Sequence, residues 1–262
     1  MDFADDLAIL SRTVRNLQIK TDRLVEYAQM TGLRINVPKT KTMHLPRPPA
    51  TPIKIQNEEI ESVDNFTYLG SIISPKDGAA KDITNRLNKA KAAFVMLRPV
   101  WISQQYSRTT KLRIFKSNVI TTLLYGAECW RFTDSDTQKL ERFQRKCLRY
   151  ILRIWWPNVI SNRNLMQQTN FIPIEKEIEK RRMRLLGHVL RMPEYRIPKI
   201  SLHWTPAQGK RSRGKPCTTW RRTVEKDLKK RGLTWGTAAT LARDRRSWRN
   251  SLLWPLDPTE ES

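Results

Sequence analysis

The chain has 262 residues, with 49 Lys or Arg against 25 Asp or Glu and a formal net charge of +24. That length supports one or two domains with real cores, and the charge predicts attraction to a polyanion, nucleic acid first. No uninterrupted apolar run approaches the roughly 18 residues of a spanning helix, which argues against a membrane protein, and three scattered cysteines (Cys129, Cys147, Cys217) argue against a disulfide framework.

In chain order, MDFADDLAIL opens the sequence, with Asp5 and Asp6 directly ahead of a short apolar run that fits a strand leaving a tight turn. A plain alternative has Asp5 or Asp6 capping a helix, where a carboxylate accepts from free N–H groups. Val14, Leu17, Leu24, Val25 and Ala28 then recur at helical spacing, and Gly32 is the expected stop. GLRIN and KTKTMHL read as short extended pieces around Pro38, and LPRPPATP breaks regular structure between 45 and 52. IKIQNEEIESV and NFTYLGSIIS are rich in branched and aromatic residues and predict a small sheet ending near Ser74, with SPKDG as its turn.

Helices follow. Ile83, Leu87, Ala90, Phe94 and Leu97 mark one face of a helix ending before Pro99, and Lys81, Arg86, Lys89 and Lys91 its solvated face. A second helix is expected over 110–127 and a third over 137–155, the latter with Leu140, Phe143, Cys147, Ile151 and Ile154 inward and Arg142, Arg145, Arg149 and Arg153 among its cations. A helix over 175–191, a loop-like stretch over 193–216 containing four prolines, and two terminal helices around Trp220, Val224, Leu228 and Leu241, Trp248, Leu252 complete the pattern. The expected class is α+β, in three parts: 1–75, 76–192 and 193–262.

The order FADD, helix, GLRIN with KTKTM, a sheet segment ending in YLGSIIS, then a basic helix, resembles the second half of a reverse-transcriptase palm running into its thumb, of the non-LTR retrotransposon kind. LLYGAECW, RFQRKCLRYIL, RRMRLLGHVLRM and RGKPCTTWRRTVEKDL resemble the C-terminal region of such element-encoded proteins, so the likeness covers nearly the whole chain. It implies RNA-directed DNA synthesis, in which two Mg²⁺ ions held by carboxylates stabilise an in-line displacement at phosphorus. It further implies Asp5 as a catalytic metal ligand, Asp6 as a supporting carboxylate and metal ligand, and Phe3 as packing beneath the primer end. Lys39 would lie near the incoming triphosphate, the plainer alternative being a solvated lysine beside a strand, and Tyr68, Leu69 and Gly70 would form the hairpin supporting the primer. A third carboxylate belongs on an earlier strand in this family, and only four residues precede Asp5. The expectation is therefore a fragment of the polymerase, entered at an internal methionine and inactive alone.

The charge is uneven. Residues 1–130 hold 19 basic and 12 acidic side chains, and residues 131–262 hold 30 and 13. Each phosphate neutralised adds about 0.9 to the salt slope of duplex binding, so Lys89, Lys91, Arg142, Arg145 and Arg149 are candidate contacts to an RNA template, an RNA–DNA hybrid or DNA. Trp101, Trp130, Trp155, Trp156, Trp204, Trp220 and Trp248 are candidate base stackers, although a tryptophan at helical spacing more often belongs to a core. Cys129, Cys147, Cys217, His44, His188 and His203 lack the paired spacing of tetrahedral zinc. The basic loop GKRSRGKP, 209–216, fits a nucleic-acid arm or a nuclear import signal. An intracellular, nuclear location is expected, with no membrane and no specific protein partner indicated. The alternative is a non-catalytic nucleic-acid-binding protein derived from such a fragment.

Overall fold

A helix whose period, cap and stop agree with one another comes first after the aspartates. Thr13 caps it by accepting from the Asn16 N–H at 3.2 Å, α1 runs Val14–Met30, and Gly32 follows at φ 74°. The computed structural model describes residues 2–3, 5–44, 51–74, 79–204 and 219–252. The proline cluster at 45–50, the turn at 75–78, the basic loop at 209–216, Cys217 and the side chain of Phe3 lie outside the described residues. The fold is mostly helical with short strand pairs, an α+β arrangement, and it divides into two compact units, Met1–Asp82 and Ile83–Ser262.

In the first unit, β1 (Asp2–Phe3) pairs antiparallel with β2 (Asp6–Leu7). The aspartates therefore sit in a hairpin, and the capping alternative is set aside, since the helix after them takes its cap from Thr13. β3 (Lys41–Thr42) pairs parallel with β6 (Glu61–Ser62), and β4 (Lys54–Ile55) forms a hairpin with β5 (Glu58–Glu59). Gln56 and Asn57 both have positive φ, 49° and 70°, which gives this two-residue turn the twist that suits paired strands. Ile53, Ile55 and Ile60 are buried here against Val14, Leu17, Val25, Ile35 and Val37. The Gln18 amide fixes α1 to β4: its Nε2 donates to the Lys54 carbonyl at 2.7 Å and its Oε1 accepts the Lys54 N–H at 2.9 Å. β7 (Phe66–Tyr68) and β8 (Ser71–Ile73) close the unit as another antiparallel hairpin.

The second unit opens within α2 (Ala80–Met96), and Pro99 is tolerated in the first turn of α3 (Arg98–Ile102) because that turn needs no N–H donor from it. α4 (Arg108–Ile114) widens into a π-helical stretch, Phe115–Ile120, and tightens again as α5 (Thr121–Leu123). Phe115, Val119, Leu123 and Leu124 are buried as their spacing predicts. α6 (Asp134–Leu152) buries Leu140, Phe143, Cys147, Leu148 and Ile151, and ends at Arg153 in the left-handed region, φ 56°. Phe94 stacks on Trp101 at 5.2 Å and meets Phe115 and Tyr150 edge-on.

α7 (Asn162–Thr169) leads to α8 (Ile174–Leu190), around which the rest assembles. The stretch expected as loop contains α9 (Ile197–His203), with Pro198 in its first turn. α10 (Trp220–Lys229), α11 (Trp235–Arg243) and α12 (Arg245–Ser251) share one apolar core with α8, built on Met183, Leu186, Val224, Leu228, Ala238 and Trp248. The Trp248 indole donates to the Met183 carbonyl at 3.2 Å and lies so close over Gly187 that a Cβ there would overlap the ring.

An ionic layer accompanies this core. Arg182 and Asp227, both buried, pair at 2.7 Å, and buried Glu179 accepts from Arg231 and, at 3.4 Å, from Lys230. Burial pushes the Asp227 carboxyl up, against the pull of Arg182. The Cys147 thiol is likewise pushed up to about 12 by burial, so it stays protonated and is a poor nucleophile and metal ligand.

Candidate nucleic-acid interface

The hairpin at the start of the chain pairs Asp2 with Leu7 and Phe3 with Asp6, which leaves two residues at its turn, the second being Asp5. Asp5 and Asp6 are both exposed. A turn this tight presents carboxylates from a short, fixed backbone, and the Tyr68 hydroxyl donates to the Asp6 carbonyl at 3.5 Å. The first unit thus brings together Asp6 and Tyr68, which lie 62 positions apart. Tyr68 ends β7, and the following Leu69 and Gly70 have φ of 49° and 77°. Glycine takes that conformation without strain; leucine there is costly and is held by the strands on either side.

Lys39 is exposed at the end of a 3₁₀ turn, Val37–Lys39. Its N–H donates to the Asn36 Oδ1 at 3.0 Å, so the Asn36-to-Lys39 spacing of GLRINVPKT is that of a local cap.

Two Mg²⁺ ions need several hard oxygen donors converging on one point. Among the described residues no group of three or more His, Cys, Asp or Glu gathers in a metal-binding arrangement. Asp5 and Asp6 alone do not meet that requirement.

The cations in the second unit divide by surroundings. Lys89 and Lys91 are exposed on α2, and Arg142 is exposed on α6. Arg145 pairs with Glu141 at 3.2 Å, and Arg149 donates to Asn162 Oδ1 at 2.8 Å and to the Ile160 carbonyl. Arg86, expected on the solvated face of its helix, is buried with its guanidinium over the Tyr125 ring at 4.1 Å.

Most tryptophans are structural. Trp101, Trp130 and Trp248 are buried, and the Trp220 indole donates to the Glu128 carbonyl at 2.7 Å. Trp155, Trp156 and Trp204 are exposed. Among the described residues no helix is long and apolar enough to cross a membrane.

Residues 93–125, from the end of α2 to just past α5, match a family described as a domain of unknown function, DUF6451. Over 259 residues the chain is 24% identical to an uncharacterized transposon-derived protein of Caenorhabditis elegans, with 94% of this chain and 92% of the relative covered. No solved structure matches the chain.

Proposed function

We propose that the chain is a transposon-derived fragment of an RNA-directed DNA polymerase of the non-LTR retrotransposon kind, whose own role is to hold nucleic acid. In this reading residues 1–75 are the second half of a palm, 76–192 a helical thumb and connection, and 193–262 a basic C-terminal region. The observation that carries it is the meeting of the FADD hairpin with the Tyr68–Gly70 hairpin through the Tyr68 to Asp6 hydrogen bond, since a polymerase must bring its metal-binding turn and its primer-supporting turn to one place. Similarity over nearly the full length to a transposon-derived protein supports the ancestry. Lys89, Lys91, Arg142, Arg145 and Arg149 contact the phosphates of template and primer, and Lys39 faces the nucleotide.

The rival is a binder with no polymerase activity at all. It is favoured by the incomplete donor set around Asp5 and Asp6 among the described residues. Primer extension on an RNA template with Mg²⁺, run beside binding of the same hybrid across a salt series, separates nucleic-acid holding from polymerase activity. Binding that falls steeply with salt, without extension and indifferent to Asp5→Ala, is the expected result. Extension abolished by Asp5→Ala would mean that this chain assembles a working metal site, and failure to bind the hybrid at low salt would remove nucleic-acid holding.

A further inference from the structure

Beyond α6 the chain makes a short exposed segment, and two features of it coincide. Residues 142–174 contain six Lys or Arg and no Asp or Glu. In the middle of this acid-free stretch Trp156 is 88% exposed, Trp155 is 55% exposed, and Val159 beside them is 79% exposed. A large aromatic ring left in water forgoes its burial, which sets these two apart from Trp101, Trp130 and Trp248.

Their mounting is firm. The Trp155 ring meets Tyr150 nearly perpendicular at 5.5 Å, and Tyr150 meets Phe94, whose ring stacks on core Trp101. Arg153, the left-handed cap of α6, donates to the Ile102 carbonyl at 2.5 Å, and Arg149 donates to Asn162 across the segment. Both ends of 153–162 are therefore tied to the helices around it, and the two rings project from a fixed base.

Exposed aromatic rings among cations, with no carboxylate nearby in sequence, match what unpaired nucleic acid requires: a π-face for each base and positive charge for the backbone. Duplex has its bases already stacked and uses the charge alone. We infer that Trp155 and Trp156 form a stacking platform for the unpaired bases of single-stranded nucleic acid, flanked by Arg142, Lys146, Arg153 and Arg163 as phosphate contacts. The inference rests on the nucleic-acid-holding role proposed above and adds to it a preference for single strand at this one place.

The test compares the full chain with Trp156→Ala and Trp156→Phe, using a labelled oligothymidine of about twelve nucleotides and a duplex of the same length. Trp156→Ala is expected to weaken oligothymidine binding about tenfold, the worth of one base stack, with the salt slope unchanged and duplex binding within about twofold. Trp156→Phe is expected to keep most of the affinity, because its ring still offers a face. Unaltered oligothymidine affinity in Trp156→Ala, or an equal loss for duplex, would overturn the platform and assign the exposed rings to another partner. If the unaltered chain bound neither ligand, the broader nucleic-acid reading would fall and take the platform with it; duplex binding without oligothymidine binding would remove the platform alone.

Discussion

The two units of this chain differ most in charge. Residues 1–82 hold eleven Lys or Arg and eleven Asp or Glu, a net of zero, so the whole net charge of +24 resides in residues 83–262. The first unit is electrically balanced, and the helical unit carries the entire net charge. In the proposed reading the attraction to nucleic acid therefore lies with the helical unit and the carboxylate turn with the balanced one. The cores differ as well: three isoleucines and their neighbours in the first unit, and in the second a broad apolar cluster laced with buried ion pairs.

The hardest blow to that contrast is Asp227→Ala. It leaves the Arg182 guanidinium buried beside an empty place, and removing one partner of such a pair costs about 3–5 kcal/mol. Urea denaturation followed by tryptophan emission should show that loss; a change under about 1 kcal/mol would mean the ionic layer is incidental. In the first unit Ile53→Ala is expected to cost about 2 kcal/mol, at the lower end for such truncations because few neighbours surround the cavity. Hydrogen exchange of the α1 amides reports it, and unchanged protection there would mean the isoleucines do not anchor that helix.

The smallest effect concerns pH. The Ser247 hydroxyl and the N–H groups of Ser247 and Arg246 hold the Asp244 carboxyl below its ordinary value of 3.8. Its contribution is therefore present above 3.8 and lost as pH falls through the lower folded value. Asp227, raised by burial, runs the other way: its contribution is complete below 3.8 and is lost as pH rises through the folded value. The acid limb of the stability curve should flatten in Asp244→Asn, and an unchanged limb would show that the cap carries no linkage.

The sequence was most informative where one signal sufficed. Val14 and Leu17 with Gly32 marked α1, the spacing from Leu140 to Ile151 marked α6, and NFTYLGSIIS marked the β7–β8 hairpin. It was least informative where distant residues decide. Four prolines argued for loop over 193–216, yet Pro198 occupies the first turn of α9, where a proline's missing N–H costs nothing. Arg86 carried the ordinary signal of a solvated cation and was claimed instead by Tyr125. Glu179, Arg182 and Asp227 gave no pattern, since their partners lie some 45 to 52 residues away along the chain. Of the candidate site, the carboxylate turn and the Tyr68 hairpin were legible as local motifs; their meeting, and the exposure of Trp155 and Trp156 among seven candidate tryptophans, required the fold.

The glycine beneath the Trp248 indole also has a genetic meaning. Every single-base change that turns a glycine codon into the codon of another amino acid adds a Cβ, and at position 187 any Cβ collides with that ring. A gene copy released from the need to make a folded product is free to lose this codon at the neutral rate, whereas a copy whose product must close α12 onto α8 is not. Gly187 is therefore a one-codon record of whether a lineage still depends on the folded second unit, and it can be read from DNA alone.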